Sequence, residues 1–260
     1  MALPIGGGGG LIGLVVLLAY VFLGGGGGGG GFNLPLQPFP AAPTGQPLGE
    51  TPGKTDDFVA FVVDDVQDTW TRLFREAGRD YEPTKLVLFE QATQTGCGSA
   101  SSQTGPFYCP LDRKVYVDLG FFHELRDRFG APGDFAQAYV IAHEFGHHVQ
   151  TVLGINEAVR REQQENRDQA NELSVKMELQ ADCFAGVWGH SAYAQQQLSE
   201  GDLEEGLGAA SAVGDDRIQE RTQGRVDPES WTHGSAEQRT EWFRRGFDSG
   251  DPNACDTFGG

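Results

Sequence analysis

Between residues 58 and 74 the apolar side chains Phe58, Phe61, Val62, Val66, Trp70 and Phe74 recur at helical spacing, and Gly78 closes the run. This pattern predicts an amphipathic helix opening near Thr55 and ending near Ala77. Lys85 to Glu90 (KLVLFE) reads as a strand, Gln91 to Pro110 as a loop, and Val115 to Phe122 as a second strand running into a turn or short helix. Residues 134–154 (DFAQAYVIAHEFGHHVQTVLG) form the best-marked element. Asp134 is placed to cap it with Gln137 three residues on, and Gly154 suits the positive φ of a helix end. A charged stretch from Arg160 to Asn171 reads as a solvated helix face. From Ser174 to Trp188 the chain turns small and apolar, as a helix entering a core does. Ser235 with Gln238 marks another helix start, whose apolar face is Trp242, Phe243 and Phe247.

The front of the chain differs in kind. An apolar run from Leu11 to Leu23 lies between glycine blocks, and residues 33–54 carry six prolines. The organisation expected is a Gly-rich apolar leader over 1–32, an extended linker over 33–54, and one domain over 55–260. This run of 13 residues, broken only by Gly13, is shorter than the ~20 that span a bilayer, but the flanking glycines extend it. A single-pass membrane anchor is the expectation. A secretion signal and a flexible leader are the alternatives, and no lysine or arginine flanks the run to set an orientation.

The formal net charge of -18 argues against a nucleic-acid partner, which needs a basic face. The four cysteines include no CxxC pair. Cys97 and Cys109 flank a Gly/Ser-rich loop and suit a local bridge, leaving Cys183 to join Cys255. Paired cysteines fit an oxidising compartment, so the domain is expected outside the cytoplasm.

The chemistry is concentrated in His143-Glu144-Phe145-Gly146-His147. Residues four apart share a helix face, so His143 and His147 can hold one Zn²⁺. Glu144 is placed to act as general base on a water that the metal polarises, and to pass the proton to a leaving amine. His148 points about 100° away round the helix and is expected to be a supporting or surface residue. No third histidine follows at the usual distance; Gln150 and Leu153 stand there instead. Glu178 is the candidate third ligand. Asp182, four residues on, is placed to accept from the free ring N–H of a zinc-bound histidine.

With HEFGHHVQ and MELQADCFAGVW together, the sequence resembles the neutral zinc metallopeptidase family of bacteria, and more broadly the gluzincins, in which HExxH and a downstream ExxxD supply two histidines and a glutamate to zinc. The resemblance extends through Cys97-Gly98, Gly105 to Pro110, Val115 to Asp118 and His233 to Arg239. It implies an α+β, mostly helical, zincin-like domain with an active-site helix, a backing helix carrying Glu178, and a small sheet. It also implies one zinc per chain, a peptide or protein substrate, and an edge strand, with Val115 to Asp118 as candidate, that pairs with the substrate backbone. His233 at a helix entrance is a candidate oxyanion donor or a structural hydrogen-bond donor. Hydrolysis of another amide or ester, and a membrane-tethered zinc protein with a structural or scaffolding role, are the competing readings.

Overall fold

The computed structural model describes residues 52–259, with side chains from residue 56 onwards. The leader and almost all of the linker lie outside the described residues. Helix α1 (Pro52–Glu76) opens on a proline, whose fixed φ and missing N–H are tolerated in a first helical turn. Its buried stripe is Val59, Val62, Val66, Trp70 and Phe74, and Trp70 packs edge-on against Phe184 at 5.2 Å between centroids. Phe61 was expected on this stripe but is 54 % exposed. It lies about 100° round from Val62, outside the arc that meets the core.

Strand β1 (Lys85–Phe89) runs parallel to β5 (Lys114–Asp118), and β4 (Phe107–Cys109) lies antiparallel on the other side of β5. The loop expected over 91–110 contains structure: β2 (Ala92–Thr95) and β3 (Gly98–Ser101) form a separate hairpin, and β4 follows. Gly, Ser and Thr dominate the hairpin, so it gives no apolar alternation to read. The Cys97–Cys109 bridge ties its turn to β4, and the second bridge joins Cys183 to Cys255; both expected pairings are present.

Strand β5 leads directly into α2 (Leu119–Asp127) through Asp118, whose side chain accepts from Gly120 N at 2.7 Å. Val115–Asp118 was expected as an edge strand and is corrected here. It is the central strand of the order β1-β5-β4, bonded on both sides, with no free edge to offer. Strands β1 and β4 hold the outer positions.

The remaining helices are α3 (Asp134–Val152), α4 (Ile155–Glu165), α5 (Ala170–Ala194), α6 (Asp202–Ala212), α7 (Asp215–Gln223) and α8 (Ala236–Ser249). The core lies where α5 packs along α8 and α3, with α1 and α6 closing it. Asp134 does not cap α3. Gly133 stands at the cap position, and Glu205 of α6 accepts from Phe135 N at 3.3 Å. A tertiary acceptor thus replaces the local one. Ser235 caps α8 as expected, with the reciprocal bond to Gln238.

The expected localisation, a single membrane span in the leader with the domain placed outside the cytoplasm by its cysteines, is corrected. Among the described residues no helix is long and apolar enough to cross a membrane. The leader itself lies outside them.

The α5–α8 contact is a backbone-to-backbone notch. A Cβ on Gly246 would lie 1.9 Å from Cys183 O, and one on Gly186 would lie 2.0 Å from Phe243 O. Neither obstacle is a flexible side-chain end, so the helices would have to part. Gly246→Ala is expected to lower unfolding free energy by about 2–3 kcal/mol. Gly208→Ala on α6, where nothing lies within 4 Å, is expected to raise it by about 0.5–1 kcal/mol through helix propensity. Denaturant midpoints check both; equal effects would contradict the notch.

Candidate metal centre

Helix α3 carries His143, Glu144 and His147 through the middle of the domain, and α5 crosses behind it. The crossing is close because Gly146 has no side chain: a Cβ there would meet Ala181 O at 3.0 Å and Ala181 Cα at 3.1 Å. This approach brings Glu178 against both histidines. Its Oε2 lies 3.1 Å from His143 Nε2, and its Oε1 lies 3.4 Å from His147 Nε2. One donor atom from each of the three residues falls within 4.8 Å of the others.

The far side of each imidazole is already occupied. His143 Nδ1 lies 2.8 Å from Asp182 Oδ1. His147 Nδ1 lies 2.8 Å from Gln150 Oε1. Both acceptors keep a proton on Nδ1, so Nε2 is the atom that each ring turns to Glu178. Two imidazoles and a carboxylate, all turned to one point, are a donor set that suits Zn²⁺, which takes each ring through Nε2 once that atom carries no proton. The fit comes from the residues alone.

Asp182 is fully buried and serves more than His143. It accepts from Arg239 Nε at 2.8 Å, from Arg239 Nη2 at 2.9 Å, and from the Tyr139 hydroxyl. Burial disfavours its charge, but Arg239 and then His143 outweigh that and hold the carboxyl below its ordinary value. For His143, burial works against a proton, and Asp182 and Glu178 outweigh it to lift the pKa to about 10. Glu178 is held well below the usual carboxylate range: burial opposes its charge, and His147 and His233 overcome this. Glu144, 7 % exposed, is pushed up by burial with the neighbouring Glu178 adding to it.

A cavity of about 210 Å³ opens over this cluster. Its walls include His143, Glu144, His147, Glu178 and His233, together with Phe107 and Tyr108 of β4 and with Phe121, Val140 and Ile218. Ser102 also lines it, and donates to Asp118 Oδ2 at 2.7 Å. His233 enters from the turn before α8. Asp215, at the start of α7, holds that turn by accepting from the backbone N–H groups of Thr232 and His233, each at 2.7 Å, and lies 3.2 Å from His233 Nδ1. Burial opposes a charged His233, but Glu178 and Asp215 raise its pKa.

His143, Glu144, His147, Glu178, Asp182 and His233, all candidates from the sequence, come together in the structure. Asp215, Tyr139, Arg239 and the part played by Gln150 become visible in the fold. A signal for Arg239 exists: Ala236, Arg239, Phe243 and Gly246 are the buried face of α8, and an arginine on such a stripe needs a buried carboxylate. His148 is not at the surface. It is 1 % exposed and faces away from the cluster, with Nε2 2.6 Å from Glu82 O and Nδ1 3.1 Å from the Tyr108 hydroxyl.

A family model described as "Putative neutral zinc metallopeptidase" matches residues 2–258. Among curated relatives, protein YpfJ of Escherichia coli (strain K12) is 54% identical over 227 residues, covering 83% of this chain and 79% of its own length. Protein Rv2575 of Mycobacterium tuberculosis (strain ATCC 25618 / H37Rv) is 50% identical over 189 residues, covering 68% of this chain and 63% of its own. Both are described as uncharacterized proteins, so they speak to kinship and to no activity. No solved structure matches the chain. A family match over almost the whole length, and a relative more than half identical across most of it, show that this chain belongs to the neutral zinc metallopeptidase family.

Proposed function

We propose that the protein is a zinc-dependent peptidase in which His143, His147 and Glu178 hold the metal and Glu144 is the general base. The observation that carries this reading is the convergence of two Nε2 atoms and one carboxylate, with both Nδ1 atoms bound elsewhere. When bound, zinc supplies Lewis acidity toward water and toward a substrate carbonyl. The remaining roles fall to side chains. Glu144, beside the ligands and lining the cavity, takes the proton of the attacking water and delivers it to the departing amine nitrogen. Burial raises its pKa, which suits a group that must both accept and release a proton. His233, held by Asp215 and with its pKa raised by Glu178 and Asp215 against the effect of burial, donates to the carbonyl oxygen as charge develops there. Arg239 and Tyr139 fix Asp182, and through it His143.

A peptide is the substrate class favoured. Strand β4 presents the outer edge of the sheet, with Phe107 and Tyr108 in the cavity wall, and an extended backbone pairs with such an edge. The cavity beside Val140, Phe121 and Ile218 is apolar and suits an apolar side chain next to the scissile bond. A purely structural zinc is disfavoured by the opening over the ligands, because structural sites are closed by their own protein ligands. Nor does structural binding need Glu144.

Metal content and peptidase activity test this together. Wild type, Glu144→Gln and His233→Ala are each expected to bind one zinc per chain, and Glu178→Ala to bind little. On a peptide library Glu144→Gln is expected to lose activity by about 10²–10⁴-fold, and His233→Ala about 10²-fold in kcat. Full activity in Glu144→Gln would overturn the mechanism. A separate expectation concerns protons. With its pKa near 10, metal-free His143 is protonated at pH 7, so zinc binding must displace that proton. Calorimetry in buffers of different ionisation enthalpy is expected to find about one proton released per zinc. No release would mean that His143 is already neutral before the metal arrives.

A further inference from the structure

The hydrogen bonds behind His147 continue well beyond it. Gln150, one turn along α3, is fully buried, and Gln180 on α5 is 5 % exposed. Gln150 Nε2 donates to Met177 O at 2.7 Å and to Gln180 Oε1 at 3.1 Å. Gln180 Nε2 donates to Cys255 O at 2.9 Å. A main-chain carbonyl only accepts, and so does an amide oxygen. The Cys255 carbonyl therefore fixes the Gln180 amide, turning its Oε1 toward Gln150. The Met177 carbonyl and that Oε1 together fix the Gln150 amide, turning its Oε1 toward His147. His147 Nδ1, 2.8 Å from that oxygen, must carry the proton, and its Nε2 must carry the lone pair. Two main-chain carbonyls thus dictate the tautomer of His147. One of them lies in the C-terminal turn that the Cys183–Cys255 bridge holds against α5.

Neither glutamine lines the cavity. A buried primary amide is costly unless its donors and acceptor are met, so these two positions are poor places for glutamine on packing grounds alone. The two imidazoles are also backed differently. His143 rests on a carboxylate that Arg239 neutralises, whereas His147 rests on neutral amides that end on the chain itself.

We propose that Gln150 and Gln180 are positioning residues for the metal centre, holding His147 in the Nδ1–H form with Nε2 free toward the ion. The proposal rests on the reading of His143, His147 and Glu178 as ligands. Affinity for zinc should then follow the presence of an acceptor at His147 Nδ1, and not the stability of the fold.

The test uses the full chain, freed of metal. Zinc affinity is read by competition with a chromophoric chelator, and the thermal midpoint of the metal-free protein is measured alongside. Gln150→Leu removes the acceptor and is expected to weaken zinc binding by about 10–100-fold. Gln180→Leu leaves Gln150 in place but frees its amide to turn, and is expected to weaken binding by up to about tenfold. Gln150→Glu keeps an acceptor for Nδ1 while stranding Met177 O and facing Gln180 Oε1. It is expected to lower the thermal midpoint yet keep zinc affinity within about threefold of wild type. Wild-type affinity in Gln150→Leu would overturn the proposal. So would affinity that tracks the thermal midpoint across all three variants. A wild type that takes up no zinc would overturn the ligand assignment itself, which none of the variant comparisons can mimic.

Discussion

The carboxylate of Asp182 sits with no exposure at the crossing of three helices, and it is where the fold and the site become one problem. It lies on α5, accepts from Arg239 of α8 and Tyr139 of α3, and lies 2.8 Å from His143 Nδ1. An isolated charge there would be untenable, and even a buried pair gains little unless its remaining hydrogen-bonding capacity is met. Here both oxygens are used, and Arg239 spends another N–H on Val213 O at 3.2 Å. The same contacts that make the buried charge tolerable also turn His143 Nε2 toward Glu178. Removing either partner would leave its opposite charge buried and unmatched, at a cost of about 3–5 kcal/mol. Stability and ligand geometry are therefore not separable at this point.

Around that crossing, the close approach of backbones does what side chains cannot. Gly146 lets α5 near α3, and the Gly186–Gly246 notch lets α8 near α5. The distance from Glu178 to the histidines follows from these contacts. The disulfides act at the margins of the same unit. Cys183 follows Asp182 directly and ties α5 to the C-terminal turn, while Cys97–Cys109 ties the β2–β3 hairpin to the strand that walls the cavity.

Much of this was legible in the sequence because it is local. The spacing of His143 and His147, the place of Glu144, the pairing of Glu178 with Asp182 on one helix face, and the capping of α8 all depend on residues within a few positions of one another. Both disulfide pairings followed from spacing. What escaped was long-range or unpatterned. The partners Arg239 and Asp215 are 57 residues from Asp182 and 18 from His233, and no local pattern joins them. The β2–β3 hairpin is too polar to announce itself. Strand order is not a property of one strand, so Val115–Asp118 reads as an edge from its sequence alone; yet its unbroken run of four buried residues is what a strand covered on both faces shows. Asp134 looked like a cap because the local rule cannot see Glu205 arriving from α6. The gathering of His143, His147 and Glu178 was foreseen; the reason both imidazoles face the same way was not.

The account stands on two imidazoles and one carboxylate binding a single ion. X-ray absorption at the zinc edge, on the full chain loaded with one equivalent, addresses that directly. The account predicts a first shell of nitrogen and oxygen only, at about 2.0–2.1 Å, with outer-shell scattering from two imidazole rings. A shell containing sulfur, or one of oxygen alone without imidazole scattering, would contradict it.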